Sequence, residues 1–132
     1  MSGGHFSYQQ YRINDIVDSI EQEVIKSGKP IPEKAWDYYD RQYYKEHPEE
    51  AVNYDYPEPI LRRFEEAVYA LKKAAIYAQR VDWLLSGDDG EESFEKRLRE
   101  ELAELESQSK TGDNGEKYFV IDRTQNPYAD DD

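Results

Sequence analysis

The sequence contains no cysteine, only two histidines and no long apolar run, and these absences exclude several classes of protein. Without cysteine there are no disulfides, thiolate metal sites or cysteine nucleophiles. No stretch approaches the roughly 20 consecutive apolar residues of a membrane-spanning helix. The first ten residues also lack the basic and apolar regions of a secretion signal. We therefore expect a soluble, cytoplasmic protein that does not enter a membrane.

Groups that could carry catalysis are equally scarce. His5 and His47 lie in no recognisable arrangement with a nucleophile and an orienting group. Gly87 and Gly90 lack the spacing, and the following Lys and Ser/Thr, of a phosphate-binding loop. The carboxylates at 88–92 lack the ligand order of a calcium loop. We expect no enzymatic activity, no cofactor and no metal site.

Negative charge is the feature that the sequence has in excess. Its 30 acidic residues outnumber 17 basic ones, for a net charge of −13. Such a surface repels nucleic acid and anionic membranes, because binding to either depends on clustered cations. We therefore expect no direct binding to nucleic acid, and a basic protein is the favoured macromolecular partner.

The longest periodic stretch, residues 60–85, predicts a central helix with a wide apolar stripe. Only Asp82 interrupts this stripe, and Ala75 and Ala78 at its middle leave room for another helix to approach closely.

A second stripe on the same helix mixes cations with aromatic and apolar groups. Residues 60–85 contain five basic and three acidic side chains, a local net charge of +2 in a chain of −13. One interpretation is that these cations pair with acidic neighbouring helices. The other is a ligand-binding stripe for a small anion, to which His5 would add near the start of the first helix. The candidate ligand-binding residues are His5, Arg62, Tyr69, Lys73, Arg80 and Trp83.

Two further long helices flank the central one in the prediction. The first begins at Ser7, which forms a capping box with Gln10, and ends at Gly28. The third begins at Asp89 as N-cap and has the apolar stripe of Phe94, Leu98, Leu102 and Leu105.

The predicted fold is all-α, a small bundle of three main helices with a short Tyr- and Trp-rich helix and a short extended C-terminal segment. We divide the chain into a helical domain at 1–106 and a segment at 107–132. That segment comprises a polar linker, the strand-forming YFVI at 118–121 and an acidic tail.

The tyrosine-rich and acidic segment at 36–58 has two interpretations. Its rings either pack over the helices or are exposed to a partner, since aromatic residues are enriched at the energetic centres of interfaces. The candidate partner-binding residues are Trp36, Tyr39, Tyr43, Tyr54, Asp55 and Tyr56.

Two sequence blocks carry a family resemblance. The start S-G-G-H-F-x-Y at 2–8 and the block D-W-L-L-S-G-D-D-G-E-x-S-F at 82–94 resemble a family of small, uncharacterised phage and prophage proteins. The resemblance covers residues 1–20 and 62–105. It implies an accessory phage gene, for which interference with a bacterial defence is a reasonable expectation.

We therefore expect a non-enzymatic phage protein that antagonises host defence by binding and sequestration in the bacterial cytoplasm. In one hypothesis the basic stripe binds a nucleotide-type signal, with rings on bases and cations on phosphates, and a homo-oligomer brings two stripes together. In the alternative, the acidic remainder imitates nucleic acid and blocks a basic host protein such as a nuclease. A structural or assembly role is the third possibility.

Overall fold

The computed structural model describes residues 4–129, and 59% of it is helical. This confirms the prediction of a small, mostly helical bundle. Its long helices are α1, α3 and α4, and a short helix α2 lies between the first two. The bounds are Tyr11–Lys26 for α1, Arg41–Glu46 for α2, Glu58–Leu85 for α3, Glu91–Gln108 for α4, Lys110–Thr111 for β1 and Lys117–Tyr118 for β2.

Helix α3 lies at the centre and contacts α1, α4 and β2. Gln10, at the start of α1, hydrogen-bonds Gln79 near the end of α3, so the two helices run antiparallel. Helix α4 returns along another side of α3 after a short turn, and β2 also contacts α3. The core lies mainly between α1 and α3 and contains Val17, Val24, Ile25, Leu61, Val68 and Ile121.

The first helix begins at Tyr11, four residues later than the capping box predicts. Ser7 and Tyr8 have φ angles of 53° and 63°, which an α-helix does not allow. The Gln10 side chain makes no capping bond, and donates to Asp82 instead. The predicted capping box is therefore wrong, because a buried carboxylate on α3 competes for the same side chain.

The last helix begins at Glu91, with Gly90 as its N-cap. The prediction that Asp89 caps this helix is wrong. The Asp89 carboxylate is buried and faces Arg80 and Arg97, so these two guanidinium groups have replaced the backbone donors of α4 as its partners.

Residues 27–57 leave α1 and return to α3 as a folded-back loop. An antiparallel bridge joins Pro30 to Val52, with Ile31 N donating to Ala51 O at 2.8 Å. The far end of the loop carries α2 between two short 3-10 turns, Glu33–Ala35 and Pro48–Glu50. The tyrosine-rich segment is thus held at the end of the bundle where α3 begins.

The C-terminal segment packs against the helices. Strands β1 and β2 form a small antiparallel hairpin, after which Ile121 enters the core. Its backbone N–H donates to the buried Glu65 carboxylate at 2.9 Å. Residues 107–129, which the sequence separates from the helical domain, therefore complete its core. Positions 130–132 of the expected acidic tail lie outside the described residues.

Between residues 4 and 129, every helix is too short or too polar to cross a membrane.

Candidate functional site

The six candidate ligand-binding residues do not converge on one site. Arg62 and Arg80 are 18 positions apart on α3, which separates them by about 27 Å along the helix axis. This distance is longer than a single small anion. The two arginines therefore lie in separate environments within one subunit.

Arg80 is buried and has its charge partners within the same subunit. Its Nη1 lies 3.4 Å from Asp89 Oδ2, and its Nε lies 3.5 Å from Glu101 Oε1. The guanidinium carbon is 4.2 Å from the centre of the Trp83 ring, which covers it. The structure thus agrees at Arg80 with the interpretation that cations of α3 pair with acidic neighbours. Arg80 joins α3 to α4 through Glu101.

Arg62 lies near the other end of α3, against the C-terminal hairpin. Its guanidinium carbon is 3.8 Å from the centre of the Tyr118 ring, and its Nε is 3.7 Å from Glu65 Oε1. Its partly exposed side chain borders a cavity of about 450 Å³ that Glu58 and Arg123 also line. Arg62 is therefore accessible to a ligand, although carboxylates offset the positive charge of this cavity.

The remaining three candidates lie apart from both arginines. Tyr69 packs against Phe119, with ring centres 5.6 Å apart, and Lys73 is exposed on α3. His5 is exposed, and its ring meets the edge of Phe6 at 5.2 Å. His5 and Phe6 line a separate opening beside Ala78.

In the sequence Asp82 only interrupts the apolar stripe, whereas in the structure it is a buried hydrogen-bond acceptor between α3 and the start of α1. Its side chain is 2% exposed. It accepts hydrogen bonds from Phe6 N at 2.9 Å and from Gln10 Nε2 at 3.2 Å. The sequence signal for this contact was an aspartate at an apolar position of the helix. A carboxylate buried at such a position requires hydrogen-bond donors.

The candidate partner-binding residues lie on the folded-back loop, where two neighbouring tyrosines are almost fully exposed. Tyr38 is 82% exposed and Tyr39 is 88% exposed, with their rings edge to face at 5.5 Å. Tyr54 is also exposed, whereas Tyr56 packs on Phe64 in the core, with ring centres 5.1 Å apart. Exposure of large rings to this extent is costly unless another surface covers them.

Trp36 and Asp55 have structural contacts in this loop. Trp36 Nε1 donates to Ile31 O at 2.9 Å, and its ring packs against Tyr44. Asp55 is exposed beside Gly28, whose φ of +73° ends α1 as the sequence predicts. The segment therefore combines both interpretations, because some of its aromatic rings pack inward and others point to solvent.

Carboxylates are frequent in the segment that carries the exposed tyrosines. Residues 36–58 contain seven acidic and two basic side chains, a net charge of −5. We use the name tyrosine-acid surface for nine of the exposed tyrosine and acidic side chains of this segment, which are Tyr38, Tyr39, Tyr43, Tyr54, Asp37, Asp40, Glu49, Glu50 and Asp55. It combines four tyrosine rings with five carboxylates.

Tyr43, His47, Glu49 and Glu50 contact one another within this surface. The Tyr43 hydroxyl donates to Glu50 at 2.9 Å, and this bond raises the pKa of Tyr43 above its ordinary value. His47 Nδ1 lies 3.8 Å from both Glu49 and Glu50. These three residues bring ligand atoms within 4.8 Å of one another, the spacing a metal ion would need. The hydrogen bond from Tyr43 accounts for the position of Glu50 without an ion.

Neither a protein-family model, nor a curated protein, nor a solved structure matches the chain at a significant level.

Proposed function

We propose that the protein is a non-enzymatic phage accessory protein that antagonises a host defence system by binding and sequestering a basic host protein. The observation that carries this proposal is the pair Tyr38 and Tyr39, more than four-fifths exposed among carboxylates. The phage context and the host-defence target come from the family resemblance of residues 2–8 and 82–94.

The chemistry of the tyrosine-acid surface supports a basic protein as its partner. Exposed carboxylates attract lysine and arginine side chains during encounter, which increases the association rate. Tyrosine rings then bury large area at little entropic cost and stack with the same cations. Because the net charge of the whole chain is −13, an acidic partner would be repelled. The surface thus favours a protein that normally binds nucleic acid.

The state of Arg80 also supports a protein partner over a small anion on the basic stripe. Asp89 and Glu101 occupy the arginine, and Trp83 covers it. A phosphate would have to displace these partners and enter a site next to two carboxylates, which is electrostatically unfavourable.

The proposal is tested by affinity capture from a bacterial host lysate with three versions of the chain. Tyr38→Ala/Tyr39→Ala removes the two exposed rings, and Val120→Ala, an exposed apolar residue outside the surface, is the control. We expect the wild type and the control to retain the same basic protein, and the double variant to lose it. Capture should also weaken as salt rises, because salt screens exposed charges. Equal capture by all three versions contradicts the proposal.

A nucleotide-like anion is the second candidate ligand, and the exposed edge of Arg62 is the observation that favours it. A base could stack beside Tyr118 while its phosphate meets Arg62 and Arg123 in the 450 Å³ cavity. The test is thermal unfolding with a panel of cyclic nucleotides. A ligand at 100 times its dissociation constant adds about 2.7 kcal/mol of stability. Arg62→Ala should abolish the shift, whereas Lys73→Ala should retain it.

A further inference from the structure

Asp82 is a buried carboxylate that faces no cation in the described part of the chain. Its two hydrogen-bond donors, the Phe6 N–H and Gln10 Nε2, are both neutral. The buried Asp89, by contrast, has two arginines at 3.4 and 3.3 Å. Buried charges are paired in most proteins, because a carboxylate loses its hydration when it leaves water. Asp82 therefore places a negative charge at this end of α3 that the described residues do not offset.

The Gln10 amide beside this carboxylate has an acceptor without a donor. Gln10 is 5% exposed, and its Nε2 donates to Asp82 Oδ2 at 3.2 Å and to Gln79 Oε1 at 2.9 Å. The amide cannot turn over, because its oxygen would then face a carboxylate that only accepts. Gln10 Oε1 is thus fixed as an acceptor, and no donor within residues 4–129 reaches it. The two donated bonds also polarise the amide, which makes this oxygen a stronger acceptor.

An opening of about 480 Å³ lies beside these two groups. Phe6 and Gln10, which both bond Asp82, form part of its wall. Ile13 of α1 and Ala78 of α3 add apolar surface. None of the described residues in the wall is Lys, Arg, Asp or Glu. The opening is large enough for a small organic group, and no charge in its wall counters that of Asp82.

Two requirements define the group that suits this opening. An ordered water would satisfy Gln10 Oε1, but it carries no net charge and would leave Asp82 uncompensated. A buried water also makes about three hydrogen bonds, and the apolar part of the wall offers it few partners. A group with both N–H donors and a positive charge meets the two requirements together.

A guanidinium fits this wall better than an ammonium. It is planar, it is less strongly hydrated, and it stacks on aromatic faces. The wall supplies two rings, those of His5 and Phe6, whose centres are 5.2 Å apart. Ile13 and Ala78 provide the apolar surface along which a short stem can lie.

We propose that this opening binds a guanidinium group on a short apolar stem. The N–H donors bond Gln10 Oε1, the plane lies against Phe6, and the stem follows Ile13 and Ala78. This preference is for a charge opposite to that of the anion which the sequence suggests at His5. The site lies outside the tyrosine-acid surface, and it does not rest on the function proposed above.

Entry of the group requires a small movement, because Gln10 Oε1 is itself covered. The turn that lines the opening has φ angles of 53° at Ser7 and 63° at Tyr8, which residues other than glycine rarely adopt. Strained backbone of this kind is found where ligands are held. Adjustment of this exposed turn on binding relieves strain and uncovers the oxygen.

NMR titration of the labelled chain with butylguanidinium tests the charge requirement, with butanol as the neutral probe on the same stem. We expect butylguanidinium to shift the signals of residues 5–13 and Ala78 in a saturable way, and butanol to bind more weakly. Asp82→Asn removes the charge and keeps an acceptor oxygen. It should weaken binding of butylguanidinium about tenfold and leave that of butanol unchanged.

A lysine substitution tests the location of the site without altering Asp82. Ile13→Lys places an ammonium in the opening and should abolish binding of butylguanidinium. Val120→Lys makes the same charge change at an exposed apolar residue near Glu58 and Arg62, at the other end of α3, and should retain binding. Circular dichroism verifies that both variants fold.

A tripeptide Gly-Arg-Gly with blocked ends identifies the source of the guanidinium. Binding of both probes indicates an arginine side chain of a partner protein. Binding of butylguanidinium alone indicates a small free ligand.

Three results would each overturn the proposal. One is the absence of saturable shifts at residues 5–13 and Ala78. Another is butanol that binds as tightly as butylguanidinium, which would remove the need for charge. The third is an equal effect of Ile13→Lys and Val120→Lys, which would place the site elsewhere.

Discussion

Asp82 and Gln10 are joined by a buried hydrogen bond of 3.2 Å, from Gln10 Nε2 to Asp82 Oδ2. The other carboxylate oxygen accepts the backbone N–H of Phe6 at 2.9 Å. One acidic side chain near the end of α3 thus holds the turn that leads into α1. Gly4 fits against this carboxylate, because a Cβ atom there would lie 2.8 Å from Asp82 Oδ2.

Removal of the Asp82 carboxylate should destabilise the fold. Asp82→Ala leaves two donors unsatisfied, and we expect the free energy of unfolding to fall by about 3 kcal/mol. Asp82→Asn retains one acceptor oxygen and should cost less. The measurement is urea unfolding followed by circular dichroism. The exposed Asp88→Ala serves as control, and an equal loss in both alanine variants would contradict this role.

The buried pair Arg80 and Asp89 should show strong coupling. Removal of one partner leaves the other buried with only one, more exposed ion pair, which is Glu101 for Arg80 and Arg97 for Asp89. We therefore expect each alanine variant to lose about 2 kcal/mol of unfolding free energy. The double variant should lose less than the sum of the two. A double-mutant cycle in urea measures this coupling.

The surface pair Arg63 and Glu66 provides the matched control for that cycle. It is also an arginine and carboxylate pair on α3, at 2.9 Å, but its arginine is largely exposed. Its coupling should be about 0.5 kcal/mol or less. If the two cycles give the same coupling energy, Arg80 does not owe its contribution to burial.

The central helix could be predicted from sequence because its signal is local. An apolar period of 3.6 residues over 60–85 predicts a helix, and the structure extends it only to Glu58. The starts of α1 and α4 could not be predicted in the same way. Gln10 and Asp89 both have the residue types of local caps, yet each bonds a partner on α3 instead. Asp82 is 72 positions from Gln10, and Arg80 is nine positions before Asp89, across the turn. Local patterns carry no information on such competition.

The candidate site shows the same limit. The sequence predicts that the tyrosines of residues 36–58 share one surface. It does not predict whether each ring packs inward or is exposed. Tyr39 and Tyr56 illustrate why, because each has an aspartate as an immediate neighbour and only Tyr56 reaches Phe64 in the core. The ion pairs of Arg80 likewise could not be predicted without the position of α4. Asp89 and Glu101 approach Arg80 only after the chain turns back.

Glu65 should control the docking of the C-terminal segment. Its carboxylate is buried and accepts the Ile121 N–H at 2.9 Å. Glu65→Ala removes this acceptor, and we expect faster amide exchange across residues 119–129. The neighbouring Glu66→Ala removes a carboxylate that pairs with Arg63 instead, and should leave that exchange unchanged. Hydrogen exchange with mass spectrometry distinguishes these outcomes. Similar exchange in both variants would show that the Glu65 bond does not hold the segment.

The paired contact between Glu58 and Arg123 should make stability depend on pH in the acidic range. Two hydrogen bonds of 2.7 and 2.9 Å join the carboxylate to the guanidinium. They lower the pKa of Glu58 below its ordinary value of 4.5. The ionised form is thus favoured in the folded chain, so the stabilisation is complete above that value. It is lost as the pH falls through the lower, folded-state pKa.

Comparison of the wild type with Glu58→Gln tests this pH dependence. We expect the wild type to have the higher urea midpoint at neutral pH, and the difference to shrink as the solution is acidified. In the Arg123→Ala background, the same Glu58→Gln change should no longer produce that pH-dependent difference, because the guanidinium that lowers the pKa of Glu58 is absent. A difference that persists unchanged in this background would assign the effect to another neighbour of Glu58, such as Arg62.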